Sequence, residues 1–141
     1  MAHDSNHRSL SVERTGPGKF AATNSRGGRI TFGTGDGEDF TPTELLLIAI
    51  GGCTAIDVDI LTSRRSEPET FDIAVDADKV RDDRGNHLAN VEITYRITFP
   101  AGEDGDNARA VLPEAVRRSH ERLCTVGRTV ELPTPIATHI A

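Results

Sequence analysis

At 141 residues the chain is long enough for one ordinary domain with a real core. Its 22 acidic against 16 basic side chains, a formal net charge of -6, leave no basic surface for nucleic acid, and five Phe, one Tyr and no Trp offer little to stack on bases. The N-terminus MAHDSNHRSL lacks the apolar stretch of a secretory signal, and Thr, Asp and Gly interrupt the longest apolar run, so neither export nor a membrane span is expected.

The first forty residues read as short strands with glycine-rich turns. Residues 8–14 and 19–25 pair through the turn TGPG, and after the RGG turn RITF forms a third strand. The loop GTGDGEDF follows. It lacks the Lys-Ser/Thr of a phosphate cradle and precedes no parallel βαβ unit, so nucleotide binding is rejected. A helix start is well marked at Thr41-Pro42-Thr43-Glu44, with a hydroxyl at the N-cap, proline at the first helical position and glutamate three residues past the cap. From Leu45 to Leu61 the helix is apolar on nearly every side, which predicts a buried central helix. Gly51 and Gly52 each cost about 1 kcal/mol relative to Ala there. Close approach of another backbone, such as a second copy of this helix, is the expected compensation. Arg64 and Arg65 in TSRRSEP complement the C-terminal dipole.

Two long strands come next. Phe71, Ile73, Val75 and Ala77 alternate with aspartates; after the turn DDRGN, Val91, Ile93, Tyr95, Ile97 and Phe99 alternate with polar residues. Such period-two patterning predicts a half-solvated antiparallel hairpin. Residues 107–123 return to helical spacing, with Ala108, Val111, Leu112, Ala115, Val116, Ser119 and Leu123 on one face and a kink or restart expected at Pro113. A helical turn after Cys124 and a last strand, PIATHIA, finish the chain. The whole reads as a single α+β domain over residues 1–141, with a largely antiparallel sheet and helices on one side.

Cys53 and Cys124 are the only two cysteines. They are too far apart for a CxxC motif and too few for a Cys-rich zinc site. In the cytoplasm expected for this protein they rest reduced. One reading makes them small buried hydrophobes. The other makes them a pair that meets in the fold, one thiol oxidised by peroxide and captured by the second as a disulfide.

The helix segment PTELLLIAIGGCTAIDV, the second cysteine in RLCTV and the order of elements together resemble the OsmC/Ohr family, and within it the general OsmC-like branch. The resemblance spans essentially the whole chain. It implies an intertwined α+β homodimer with sites at the subunit interface, and thiol-dependent reduction of organic hydroperoxides without metal or organic cofactor. By this resemblance Cys53 is the peroxidatic thiol and Cys124 the resolving one. An external dithiol is the reductant, and neither nucleic acid nor membrane is a partner. The family's activating arginine sits in its first hairpin, where Arg14 is the best counterpart and Arg26 or Arg29 the alternatives. The alternative reading is a non-catalytic OsmC-like module that holds a small apolar ligand at the dimer interface.

The sequence departs from the family where a glutamate of the peroxidase branches stands ten residues before the first cysteine; here that position is Thr43. Glu44 follows it, but nine residues at about 100° each set Glu44 on the opposite side of the helix from Cys53, as a capping residue. Asp57, one turn beyond Cys53 on the same face, needs a partner because an unpaired carboxylate in an apolar helix is costly. An arginine or backbone donors from the hairpin are the expected partners, and the expected role is support. His120, four residues before Cys124, suits a shared face, yet two ligands alone make a weak metal site and surface histidine is preferred. Arg122 and Arg128 flank Cys124 as solvated charge.

Overall fold

The structure is a computed structural model that describes residues 6–141. Two compact units divide within the first long helix, one reaching Leu46 and the other running from Leu47 to Ala141.

The N-terminal unit carries an antiparallel meander of β1 (Ser11–Gly16), β2 (Lys19–Thr23) and β3 (Arg29–Gly33). Gly18, at φ +67°, makes the first turn; in the second, the Asn24 side-chain oxygen accepts from the amides of Arg26 and Gly28. Phe20 and Phe32 face each other across β2 and β3 and stack at 5.8 Å. The expected helix start forms as a reciprocal cap: the Glu44 amide donates to Thr41 Oγ1 at 3.2 Å, and the Thr41 amide donates to the Glu44 carboxylate at 2.8 Å. These bonds hold the Glu44 carboxyl below its ordinary range.

Helix α1 (Pro42–Ser63) leads into a hairpin of β4 (Thr70–Asp82) and β5 (Gly85–Thr98), then α2 (Glu103–Arg118), a π-helical turn (Ser119–Leu123) and α3 (Thr125–Glu131). The α+β class and the antiparallel pairing are as the sequence predicts. Burial of α1 is narrower than its composition suggests. Ile50, Gly51, Thr54, Val58 and Thr62 form a buried stripe at helical spacing, whereas Ile48, Ile56 and Ile60 are exposed. The hairpin covers the inward face, where Val75 lies against Gly51 and Tyr95 meets Thr54. By length and composition α1 would suffice to cross a membrane, contrary to the expectation from its interrupting polar residues. Two of those polar residues face inward: Thr54 bonds Tyr95 and Ser119, and Thr62 Oγ1 donates to the Val58 carbonyl. Gly51 lies where a Cβ would collide with the γ-methyl of Val75, a stiff β-branched side chain, so its absence lets α1 seat on β4. The close neighbour of Gly51 within the chain is therefore a strand side chain, while no described atom of this chain lies within 4 Å of a Cβ at Gly52.

A bulge interrupts the hairpin. Asp76 pairs with Glu92 and Asp78 with Ala89, so Ala77 opposes both Asn90 and Val91. Asn90 takes the left-handed conformation (φ +54°), and its amide donates to Asp78 at 2.9 Å. Two other expectations are corrected. Helix α2 continues through Pro113 without restarting, since Ala108 and Ala115 anchor it on either side and proline removes a single hydrogen bond. The segment PIATHIA forms no strand: it joins neither sheet, and Ile136 and Ile140 are fully open to solvent.

Tyr95 on β5 meets Thr54 Oγ1 at 2.8 Å and ties the hairpin to α1. Burial pushes its phenol above the ordinary value near 10; the bond to Thr54 opposes this, and negative charge at Cys124 and Asp57 adds to it. The folded chain thus keeps the phenolic proton at pH values where the unfolded chain loses it. That stability is complete below the unfolded value and is lost as pH rises through the folded one. With one Tyr and no Trp in the chain, tyrosinate absorbance reads this group alone. It should emerge at higher pH in native protein than in urea-unfolded protein; coincident curves would contradict the burial of Tyr95 between the hairpin and α1.

Candidate thiol site

Cys53 sits midway along α1 beside the buried stripe and is partly exposed, with Asp57 one turn later on the same face. The second thiol arrives through an irregularity. The Cys124 amide bonds the carbonyl of Ser119, five residues back, at 2.9 Å, which makes residues 119–123 a π turn. In a regular α-helix, residues five apart lie about 140° from each other. The π turn brings Ser119 and Cys124 to one side, and both become buried. It also turns Leu123, expected on the apolar face, out to 41% exposure. Cys124 then caps α3, its sulfur accepting the Gly127 amide at 3.2 Å.

The two sulfurs and a carboxylate oxygen of Asp57 all lie within 4.8 Å of one another, and both cysteines are free thiols. Burial pushes the Cys124 thiol up, the Gly127 amide pulls it down, and the neighbouring Cys53 and Asp57 push it further up. Asp57 does find a donor, but neither an arginine nor hairpin backbone: the Ser119 hydroxyl donates to Oδ2 at 2.8 Å. Ser119 in turn meets Thr54 at 2.8 Å, and Thr54 meets Tyr95. Among the described residues no buried side-chain nitrogen or oxygen lacks a partner.

Ser119, Thr54 and Tyr95 were not singled out for this role by the sequence. The available signals were a threonine beside the cysteine of an apolar helix and a serine on the apolar face of α2. A cavity of about 480 Å³ adjoins the site, walled by Ile50, Val91, Ile93, Tyr95, Val116 and Cys124 among others. The bulge contributes to it by presenting four successive residues, Leu88 to Val91. Its walls include Cys124 rather than Cys53.

The other sequence candidates lie as follows. Arg14 pairs in register with Phe20 on β1 and β2, Arg26 lies in the turn after β2, and Arg29 opens β3; all three are exposed residues of the N-terminal unit. Glu44 is engaged in its cap. His120 is exposed, faces Glu131 at 3.7 Å and is not part of the thiol cluster. Arg128 pairs with the same glutamate at 3.3 Å, and Arg122 is exposed.

The family model described as "OsmC-like protein" matches residues 35–139. An uncharacterized protein of Mycobacterium tuberculosis is 28% identical over 128 residues, which cover 90% of this chain and 91% of that protein. A hypothetical protein from Aquifex aeolicus has a similar structure, with a TM-score of 0.71 and 28% identity over 89% of this chain and 88% of that one. An organic hydroperoxide resistance protein OsmC from Legionella pneumophila shares the fold at 14% identity, with a TM-score of 0.61 and 92% of each chain covered. The family match spans α1, the hairpin, α2 and Cys124, the elements that build the thiol site, and on that ground the chain belongs to the OsmC-like family.

Proposed function

We propose that this protein reduces organic hydroperoxides through Cys53, with Cys124 as the resolving thiol. The observation that carries the reading is the approach of the two sulfurs and Asp57 to within 4.8 Å of one another. In the first step the Cys53 thiolate attacks one peroxide oxygen, the O–O bond breaks, and the departing alkoxide takes a proton to leave as the alcohol. Cys53 is then a sulfenic acid. Cys124 attacks its sulfur, the disulfide forms and water leaves. An external dithiol reduces the disulfide and restores both thiols.

Exposure supports this division of labour. Cys53 is partly open, whereas Cys124 is 3% exposed and held toward its protonated form. A nucleophilic thiolate needs a cation beside it, and we assign that role to Arg14. The protein works in the cytoplasm as a single OsmC-like domain completed in a homodimer. The exposed Ile48, Ile56 and Ile60 on α1 support a dimer, because an apolar helix face of this kind needs cover. A second reading, a module that binds a small apolar ligand without catalysis, draws on the largely apolar cavity, whose size is ordinary for a small-molecule site. Thr43 in place of the family glutamate also favours it.

Mass spectrometry after one equivalent of an organic hydroperoxide should find a Cys53–Cys124 disulfide. Cys53→Ser should consume no peroxide. Cys124→Ser should turn over once and accumulate sulfenic or sulfinic acid at Cys53. Equal losses in the two variants, with Cys53 never oxidised, would leave the binding module as the better account. Arg14→Ala should slow the first turnover at neutral pH by about 10- to 100-fold, the effect of losing a close opposite charge, and partly recover in alkali. An unchanged rate would clear Arg14. Light scattering should give a dimer at micromolar concentration, and Ile56→Glu should yield monomer; a monomeric parent protein would count against the shared assembly.

A further inference from the structure

We propose that Cys53, Asp57 and Cys124, with both thiols reduced, form a binding site for a zinc-type divalent cation. Two soft sulfurs and one carboxylate converge from α1 and from the end of the π turn, all three donor atoms within 4.8 Å of one another. Around a tetrahedral zinc, with bonds of about 2.0–2.3 Å, neighbouring donors stand roughly 3.5–3.8 Å apart. Side-chain rotations that move these atoms by about 1 Å therefore suffice to gather them. Sulfur donors select zinc over magnesium or calcium, which demand oxygen ligands.

Two of the three ligands already have outer partners of the kind that orient metal ligands. The Ser119 hydroxyl holds Asp57 at 2.8 Å, and the Gly127 amide holds the Cys124 sulfur at 3.2 Å. Ser119 is itself fixed by Thr54, and Thr54 by Tyr95, with Ser119 and Thr54 fully buried. Charge also balances. The reduced site carries two neutral thiols and one carboxylate, a net charge of about -1. Binding breaks two S–H bonds, releases two protons to water, and forms two metal–sulfur bonds and one metal–oxygen bond. The bound site keeps the same net charge, so the cation enters an apolar setting without adding charge to it. Three protein ligands leave a fourth position for water, and the cavity beside Cys124 offers room for it. Disulfide formation removes both thiolates, so binding is confined to the reduced protein.

Cobalt(II) is the probe, added anaerobically to fully reduced protein. One equivalent should give an intense thiolate-to-cobalt absorption with tetrahedral d–d bands, and zinc(II) should displace it. Cys53→Ser and Cys124→Ser should each strip most of the charge-transfer intensity, and Asp57→Asn should weaken binding by at least about tenfold, with Ser119→Ala weakening it about tenfold through Asp57. Circular dichroism checks that each variant is folded; Cys53→Ser, a near-isosteric change at a partly open position, carries the test if Asp57→Asn does not fold. Absence of the absorption in the reduced parent protein, or its persistence unchanged in Cys53→Ser, would overturn the site. The measurement uses no peroxide, so it stands or fails independently of the proposed reaction.

Discussion

The hydrogen bond from Ser119 to Asp57 is the contact on which the site depends. A carboxylate placed in an apolar helix without a donor costs several kcal/mol or is forced to protonate. Here the donor comes from another helix, 62 positions away in sequence, at 2.8 Å. It reaches Asp57 because the π turn brings Ser119 and Cys124 to the same side of the chain. One irregular turn thus satisfies the carboxylate and delivers the second thiol. Thr54 and Tyr95 extend the bond across the hairpin, so the polar atoms beneath the thiols are all partnered.

That arrangement has an electrostatic consequence. A satisfied carboxylate is still a negative charge, and it stands beside both sulfurs. Burial, together with that charge, pushes the Cys124 thiol up, and a positive charge in the site would favour thiolates. The arginine proposed for the reaction and the proposed divalent cation are two physical answers to the same requirement. The first leaves Cys53 free to attack a peroxide. The second engages both thiolates and protects them. The two proposals exclude each other at a given moment, so metal and peroxide are expected to compete for the reduced site.

Helix α1 carries this chemistry because its two faces differ in kind. The inward stripe mixes Ile50 and Val58 with Thr54 and Thr62, and every one of those hydroxyls is used. Gly51 lets the helix sit close on β4, which brings Thr54 within reach of Tyr95. The outward side keeps Ile48, Ile56 and Ile60 exposed. A helix that reads from sequence as apolar on nearly every side buries two threonine hydroxyls in its inward stripe and leaves three isoleucines open.

Much of this was legible in the sequence. The capping box at Thr41 and Glu44, the turn signals, the alternation through β4 and β5 and the α+β order follow from local preferences, which act over a few residues and need no partner. The two cysteines and the family helix pattern pointed to the site. What the sequence left open depended on distant pairing. Asp57 needed a partner, but only the fold named Ser119, because the register of a π turn is set by packing rather than by propensity. A helix restart at Pro113 and the strand at PIATHIA did not form, for the same reason. Buried neighbours carried α2 through the proline, and no sheet edge took the tail. Local chemistry determined which elements form and which residues are reactive; tertiary packing alone decided which of those residues meet, since contacts between remote side chains have no period that a sequence can display.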